Sequence, residues 1–145
     1  MSFLAAPIKA EQYYTKTSAL AYLFPNSEKV SFEKKTLNAT QLKKIRSQFK
    51  KNKTKANWTV YLATTKGKID GYAIIDNVIG KESPITFIVS ITPEGLIKEV
   101  EVMVYRESHG GQIKNKAFRK QFVGKNTSDH IKVGKDIVHV SGATI

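Results

Sequence analysis

The chain of 145 residues has no cysteine, which removes disulfides, thiolate metal sites and cysteine nucleophiles together. Its three histidines, His109, His130 and His139, are scattered. They offer no HxH or HExxH spacing, so no metal site is expected. Long apolar runs are missing as well: no stretch approaches the roughly 20 residues that a membrane-spanning helix needs. Residues 1–10, MSFLAAPIKA, are mildly apolar and end on a small residue, but they lack the basic start and full apolar run of a secretory leader. They are expected to be a leader remnant or a flexible N-terminus. Nucleotide-binding fingerprints are absent too. Gly80-Lys81, Gly124-Lys125 and Gly134-Lys135 imitate the end of a P-loop, yet none has the following Ser or Thr or the glycine five residues earlier. Neither GxGxxG nor GxSxG occurs.

Acidic residues are few, 12 against 24 Lys and Arg, giving a net charge of +12. The lysines crowd at Lys34-Lys35, Lys43-Lys44 and in KKNKTK at 50–55. Such a surface attracts nucleic acid, anionic lipid or acidic proteins. A cofactor-free basic module for nucleic acid or an anionic surface is therefore one reading. No RNA-recognition or zinc-finger signature accompanies the lysines, so nucleic acid is the lesser reading.

What the chain does contain is a readable order of elements. Residues 11–24 carry Tyr14, Ser18, Leu20, Ala21, Leu23 and Phe24 at helical spacing, and Pro25-Asn26 stops them. Residues 29–37 alternate Val30 and Phe32 with polar neighbours, which predicts a half-buried strand. Asn38 or Thr40 can cap a helix over 41–49 with Leu42, Ile45 and Phe49 on one face. From Trp58 the period changes to two. Residues 58–65 and 69–78 flank the turn Lys66-Gly67-Lys68, and 84–91 and 96–105 flank Thr92-Pro93-Glu94-Gly95. In the last strand Val100, Val102 and Val104 alternate with Glu99, Glu101 and Met103, predicting one buried and one wet face. Residues 112–122 read as a short helix with Ile113, Phe118 and Phe122 turned to the sheet, and a polar loop follows over 124–135. Strands in a block with helices before and after predict a single α+β domain.

The most informative residues come last: Ser141-Gly142-Ala143-Thr144-Ile145. Gly142 and Ala143 leave almost no bulk, so a phosphate can approach the backbone closely. Ser141 and Thr144 supply hydroxyls able to donate to phosphate oxygens or to form an ester. Upstream, Glu107-Ser108-His109-Gly110-Gly111 lies between a strand and a helix, where two glycines allow an anion-binding nest of backbone N–H groups. Together with Gly80-Lys81-Glu82-Ser83-Pro84-Ile85-Thr86-Phe87, Tyr105-Arg106 and Gln121-Phe122-Val123-Gly124-Lys125, and in this order, these segments resemble the FMN-binding domain family. That family includes the flavin subunits of sodium-pumping NADH:quinone reductases and related ferredoxin-linked complexes. The resemblance covers residues 70–145 well and residues 11–69 in layout only.

The resemblance implies a curved antiparallel sheet with helices packed against it, spanning 11–145, and FMN as cofactor. It implies an electron-carrying flavoprotein domain rather than a stand-alone enzyme, working outside the cytoplasm beside membrane-bound redox partners and matured by a flavin transferase. Thr144 would be the attachment point, with Ser141, Gly142 and Ala143 shaping the phosphate site. Glu107, Ser108, His109, Gly110 and Gly111 would wall the flavin. Arg106, Lys125 and Lys135 are candidate cations for the phosphate or a reduced flavin, and Tyr105 or Phe118 for the ring edge. Two departures stand out. His109 replaces the family's proline, and Val138 stands where the family has an Asp three residues before the motif Ser, Asp136 lying two residues earlier. The chain also ends one residue after Thr144, where the family continues into a helix. Ester-bound FMN, non-covalent FMN and an unmodified Thr144 all stay open.

Overall fold

The structure, a computed structural model, describes residues 9–49 and 54–142. The Phe49 side chain, residues 50–53 of the lysine run, residues 1–8 and the motif residues Ala143 and Thr144 lie outside the described residues. In chain order the elements are β1 (Glu11–Gln12), α1 (Lys16–Leu23), β2 (Lys29–Thr36), α2 (Ala39–Phe49), β3 (Asn57–Thr65), β4 (Lys68–Ile79), β5 (Pro84–Ile91) and β6 (Ile97–Tyr105). A 3-10 turn (Gly111–Lys114), α3 (Lys116–Arg119) and a second 3-10 turn (Lys120–Phe122) follow. The fold is α+β, a six-stranded sheet in the order β1-β6-β5-β4-β3-β2 whose neighbouring pairs are all antiparallel.

The turns read from the sequence set this sheet. Lys66 and Gly67 both have positive φ, 50° and 75°, the two-residue turn whose twist suits a tight hairpin. The second hairpin closes through Thr92, whose carbonyl accepts from Gly95 at 2.9 Å and whose hydroxyl accepts from the Leu96 N–H at 3.2 Å. Register shifts at Ala63/Thr64, Thr86/Phe87 and Ser90/Ile91 are bulges, which bend the strands that carry them.

The expected helix over 11–24 starts late. Thr15 is its N-cap: its hydroxyl accepts from the Ser18 N–H at 3.1 Å, and the Ser18 hydroxyl accepts from the Thr15 N–H at 2.9 Å. That reciprocal box fixes the start. Residues 11–12 pair instead with Val104 and Tyr105, while the Tyr13 and Tyr14 N–H groups both donate to the Met103 carbonyl, at 2.8 and 3.2 Å. α1 lays Ala19, Leu20, Leu23 and Phe24 on Ala63, Ala73, Ile88 and Met103 to form the main core; Ser18 and Ala21 face solvent. Burying a Leu or Phe contributes about 1.5–3 kcal/mol, so this short helix holds its face of the sheet by three side chains.

Three further expectations are corrected, and one alternative is settled. β2 is an edge strand, with Phe32 63% and Val30 37% exposed rather than half-buried, because α1 does not reach across to it. Of the two candidate caps, Asn38 is the one used: it exchanges bonds with Gln41, both at 2.9 Å, and α2 begins at Ala39. The wet face expected on β6 is covered: α1 packs on Met103, and Arg119 of the C-terminal segment covers Glu101, which is 5% exposed. That segment is not one helix over 112–122 but three short pieces, with Asn115 in extended conformation between the first two.

The edge of β6 is capped along its length. Arg119 Nη1 donates to the Val100 carbonyl at 2.7 Å and pairs with the buried Glu101 carboxylate. Lower down, Ile97 exchanges bonds with Lys125 and Gly124, at 2.8 and 2.7 Å. Among the described residues no helix is long and apolar enough to cross a membrane.

Candidate functional site

The site lies beyond the C-terminal end of β6, where the loop 106–110 leaves the sheet and residues 137–142 return to it. Tyr105 anchors this corner. It is buried with Ile85 and Val102 against Ile113, and its hydroxyl donates to the His109 carbonyl. Burial pushes the phenol's pKa up, so it stays a neutral donor. Gly110 then turns with φ 75° into the 3-10 turn, conformational freedom that only glycine has cheaply.

The returning segment docks on that loop. Gly142, at φ 78°, lies so close that a Cβ there would sit 3.1 Å from His109 Cβ and 3.3 Å from the Gly110 nitrogen. Gln121 holds the approach, its Oε1 accepting from the Val138 N–H at 2.8 Å, while Ile137 and Val140 are buried. Ser141 thereby joins Gly110, Gly111, Gln112, Lys114 and Asn115 around a cleft of about 450 Å³, within the range of small-molecule sites. The motif residues Ser141 and Gly142 and the loop residues His109, Gly110 and Gly111 are thus brought together from opposite sides of the C-terminal third.

The cleft is rich in donors. Among the described residues the N–H groups of Gly110, Gly111 and Gln112 find no acceptor, and the Ser141 hydroxyl and two side-chain amides stand beside them. Lys114 supplies the charge. Its Nζ donates to Glu11 Oε2 and to the Tyr13 hydroxyl, both at 3.0 Å, and lies 4.7 Å over the Tyr105 ring. The Tyr13 hydroxyl and the Glu11 carboxylate raise its pKa, so it remains an ammonium through the neutral range. A second cleft shares Lys114 and Asn115 with the first and adds Tyr13, Tyr14, Glu101, Val102 and Arg119. Gln112, Lys114 and Asn115 were not singled out from the sequence. Lys114 carried a faint signal, a basic residue four positions after the glycine pair begins, but Glu11 and Tyr13 about a hundred residues away carried none.

Other candidates are engaged elsewhere. The Glu107 carboxylate turns to the 80–83 loop, accepting from the N–H groups of Glu82 and Ser83 at 2.8 and 2.9 Å, which hold its pKa below the usual carboxylate range. Arg106 donates to the Pro84 carbonyl at 3.0 Å and to Thr86 Oγ1 at 3.1 Å, beside β5. Ser108 Oγ and His109 Nδ1 face each other at 2.8 Å. Phe118 is half-buried, edge-on to Phe122 at 5.8 Å. Lys125 is paired through its backbone to Ile97, the opposite end of β6 from Tyr105, roughly 25 Å away at about 3.3 Å per residue. It is not brought to the cleft. Lys135 lies in an exposed turn, its N–H donating to the Lys132 carbonyl at 3.2 Å.

Fold and site together define a small antiparallel-sheet domain with a glycine-shaped, donor-lined cleft suited to a phosphate-bearing ligand. Residues 80–145 match the family model of the FMN-binding domain, a match that supports that family and indicates FMN as the cofactor. No curated protein and no solved structure matches the chain. Among the described residues the lining fits this group: N–H donors without an acceptor, a hydroxyl and the Lys114 ammonium, whose charge Glu11 partly offsets, suit a phosphate, and no acidic residue lines the first cleft.

Proposed function

We propose that residues 11–145 form one FMN-carrying electron-transfer domain, which relays electrons between redox partner proteins and does not turn over a substrate of its own. FMN, when bound, accepts and passes on one or two electrons; the chain fixes its position and tunes its potential. The observation that carries this reading is the seating of Ser141-Gly142 on His109-Gly110, beside three N–H groups that have no acceptor among the described residues and the Lys114 ammonium. These groups hold the phosphate end. Lys114, kept charged by Tyr13 and Glu11, favours negative charge within its reach, and Tyr13 and Tyr14 offer aromatic walls in the adjoining cleft. Thr144, two residues beyond Gly142, is the attachment point for an ester to the FMN phosphate, installed by a flavin transferase. Ala143 completes the small-residue approach. An extracytoplasmic setting beside membrane-bound partners follows the family resemblance.

The test is intact mass and a visible spectrum of protein co-expressed with the transferase, before and after acid denaturation. An FMN-sized mass increment that survives denaturation and is lost in Thr144→Ala is the expected result. Gly142→Ala is expected to weaken FMN retention by about tenfold, because a Cβ at positive φ adds strain of order 1–3 kcal/mol and presses on His109. Colour released by acid from the parent protein would replace the ester with a non-covalent site. A colourless protein that also refuses added FMN would sink the reading.

A further inference from the structure

The candidate site opens toward a second, cationic groove. Arg119 lines the Tyr13–Tyr14 cleft and also a neighbouring groove of about 490 Å³ between β6 and the α3 segment. Lys98, Lys116 and Lys120 form its rim, and Val100 and Val123 its apolar part. Arg119 pairs with Glu101, and Glu99, the one carboxylate in the lining, accepts from the Tyr22 hydroxyl at 3.0 Å and keeps its charge. Lys98, Lys116 and Lys120 are exposed, and none of them is in an ion pair among the described residues. Val123 is 49% exposed. Three ammonium groups without an ion pair among the described residues, against the single Glu99 carboxylate, surround an open apolar contact and are complementary to a protein surface with clustered carboxylates about a small apolar centre.

Sheet order separates this groove from the more conspicuous lysines. Lys34 lies on β2, with Lys43 and Lys44 on α2 just after it, whereas the groove lies on β6; four strand spacings intervene, roughly 19 Å at about 4.8 Å each. That exceeds the screening length of about 8–10 Å at physiological salt. The β2–α2 lysines therefore raise general encounter without directing a partner to the cleft. The groove, by contrast, is joined to the cleft through Arg119, Lys114 and Asn115.

We propose that this β6–α3 groove is the docking surface for an acidic redox protein, orienting it beside the FMN site; the redox character of the partner rests on the electron-carrier reading above. The probe is a small b-type cytochrome of strongly negative net charge, titrated calorimetrically into the full chain at low and at physiological salt. Lys98→Glu/Lys116→Glu/Lys120→Glu is compared with Lys34→Glu/Lys43→Glu/Lys44→Glu, which removes the same charge from the far edge. The groove variant is expected to lose affinity by about tenfold or more and to flatten the salt dependence, the edge variant to lose no more than about threefold. Lys98→Gln/Lys116→Gln/Lys120→Gln, a gentler change should the reversal unfold the chain, is expected to show an intermediate loss. Equal losses in groove and edge variants, no loss in either, or binding by anionic vesicles but not by the cytochrome would each overturn the proposal. Flavin content is read in the same samples. A flavin-free chain that still binds through the groove would remove the electron-carrier reading and keep the docking surface. A flavin-loaded chain indifferent to the groove charges would do the reverse.

Discussion

The Glu107 carboxylate closes the 80–83 loop against the end of β6, so closely that a side chain at position 80 would have to push it aside. Its pKa is held down by the Ser83 N–H and then the Glu82 N–H. The consequence for pH has a definite sign. A carboxylate whose folded pKa lies below its unfolded value, near 4.3, stabilises the fold above that value and loses its contribution as pH falls through the folded pKa. Thermal melts should therefore show Glu107→Gln less stable than the parent at neutral pH, with the difference shrinking as pH falls below the unfolded carboxylate value. Parallel profiles would contradict this. The sequence marked Glu107 as a candidate wall of the flavin site through its neighbours in the motif. It could not show that the carboxylate binds amides 24 and 25 residues earlier, because contacts at that separation leave no periodic trace. The same holds for Lys114, whose partners lie 101 and 103 residues away.

At the level of elements, the hairpins were legible because Lys66-Gly67 and Thr92–Gly95 carry their own turn chemistry, and the strands between them alternate. The start of α1 was not. Tyr13 and Tyr14 continue a helical spacing, and only the capping pair Thr15 and Ser18 marks the true boundary. β6 misled for another reason. Glu101 alternates as a solvent-facing residue would, but Arg119 from α3 covers it, leaving the two side chains 6% and 14% exposed. Burial raises the Glu101 pKa against the lowering by Arg119, so the pair is held together at a desolvation cost. Arg119→Met alone should destabilise the domain by about 3–5 kcal/mol, since it strands a buried carboxylate. Arg119→Met with Glu101→Met should recover most of that loss. Denaturant titrations of the single and double variants measure the difference, and equal losses would mean that Arg119 acts through its bonds to the Val100 and Lys114 carbonyls instead.

Across the whole molecule the two edges of the sheet are treated differently. The β6 edge is closed by Tyr13, Tyr14, Arg119, Gly124 and Lys125, whereas β2 is paired on one side only and carries Lys29, Lys34 and Lys35 beside an exposed Phe32. Charged edges discourage strand addition. Lys34→Thr/Lys35→Thr should therefore raise light scattering at high protein concentration, with little change in melting temperature; unchanged scattering would refute this role. The closed edge has its own implication, for the order in which the molecule matures. Glu11 and Tyr13 grip Lys114 from the beginning of the chain, and Ser141 meets Gly110 from its end. Neither half can form the cleft before the other arrives, and contacts of such long range form slowly because loop closure must precede them. A ligand that binds only the finished cleft then adds stability by mass action, so uptake of flavin would serve as a checkpoint for complete folding.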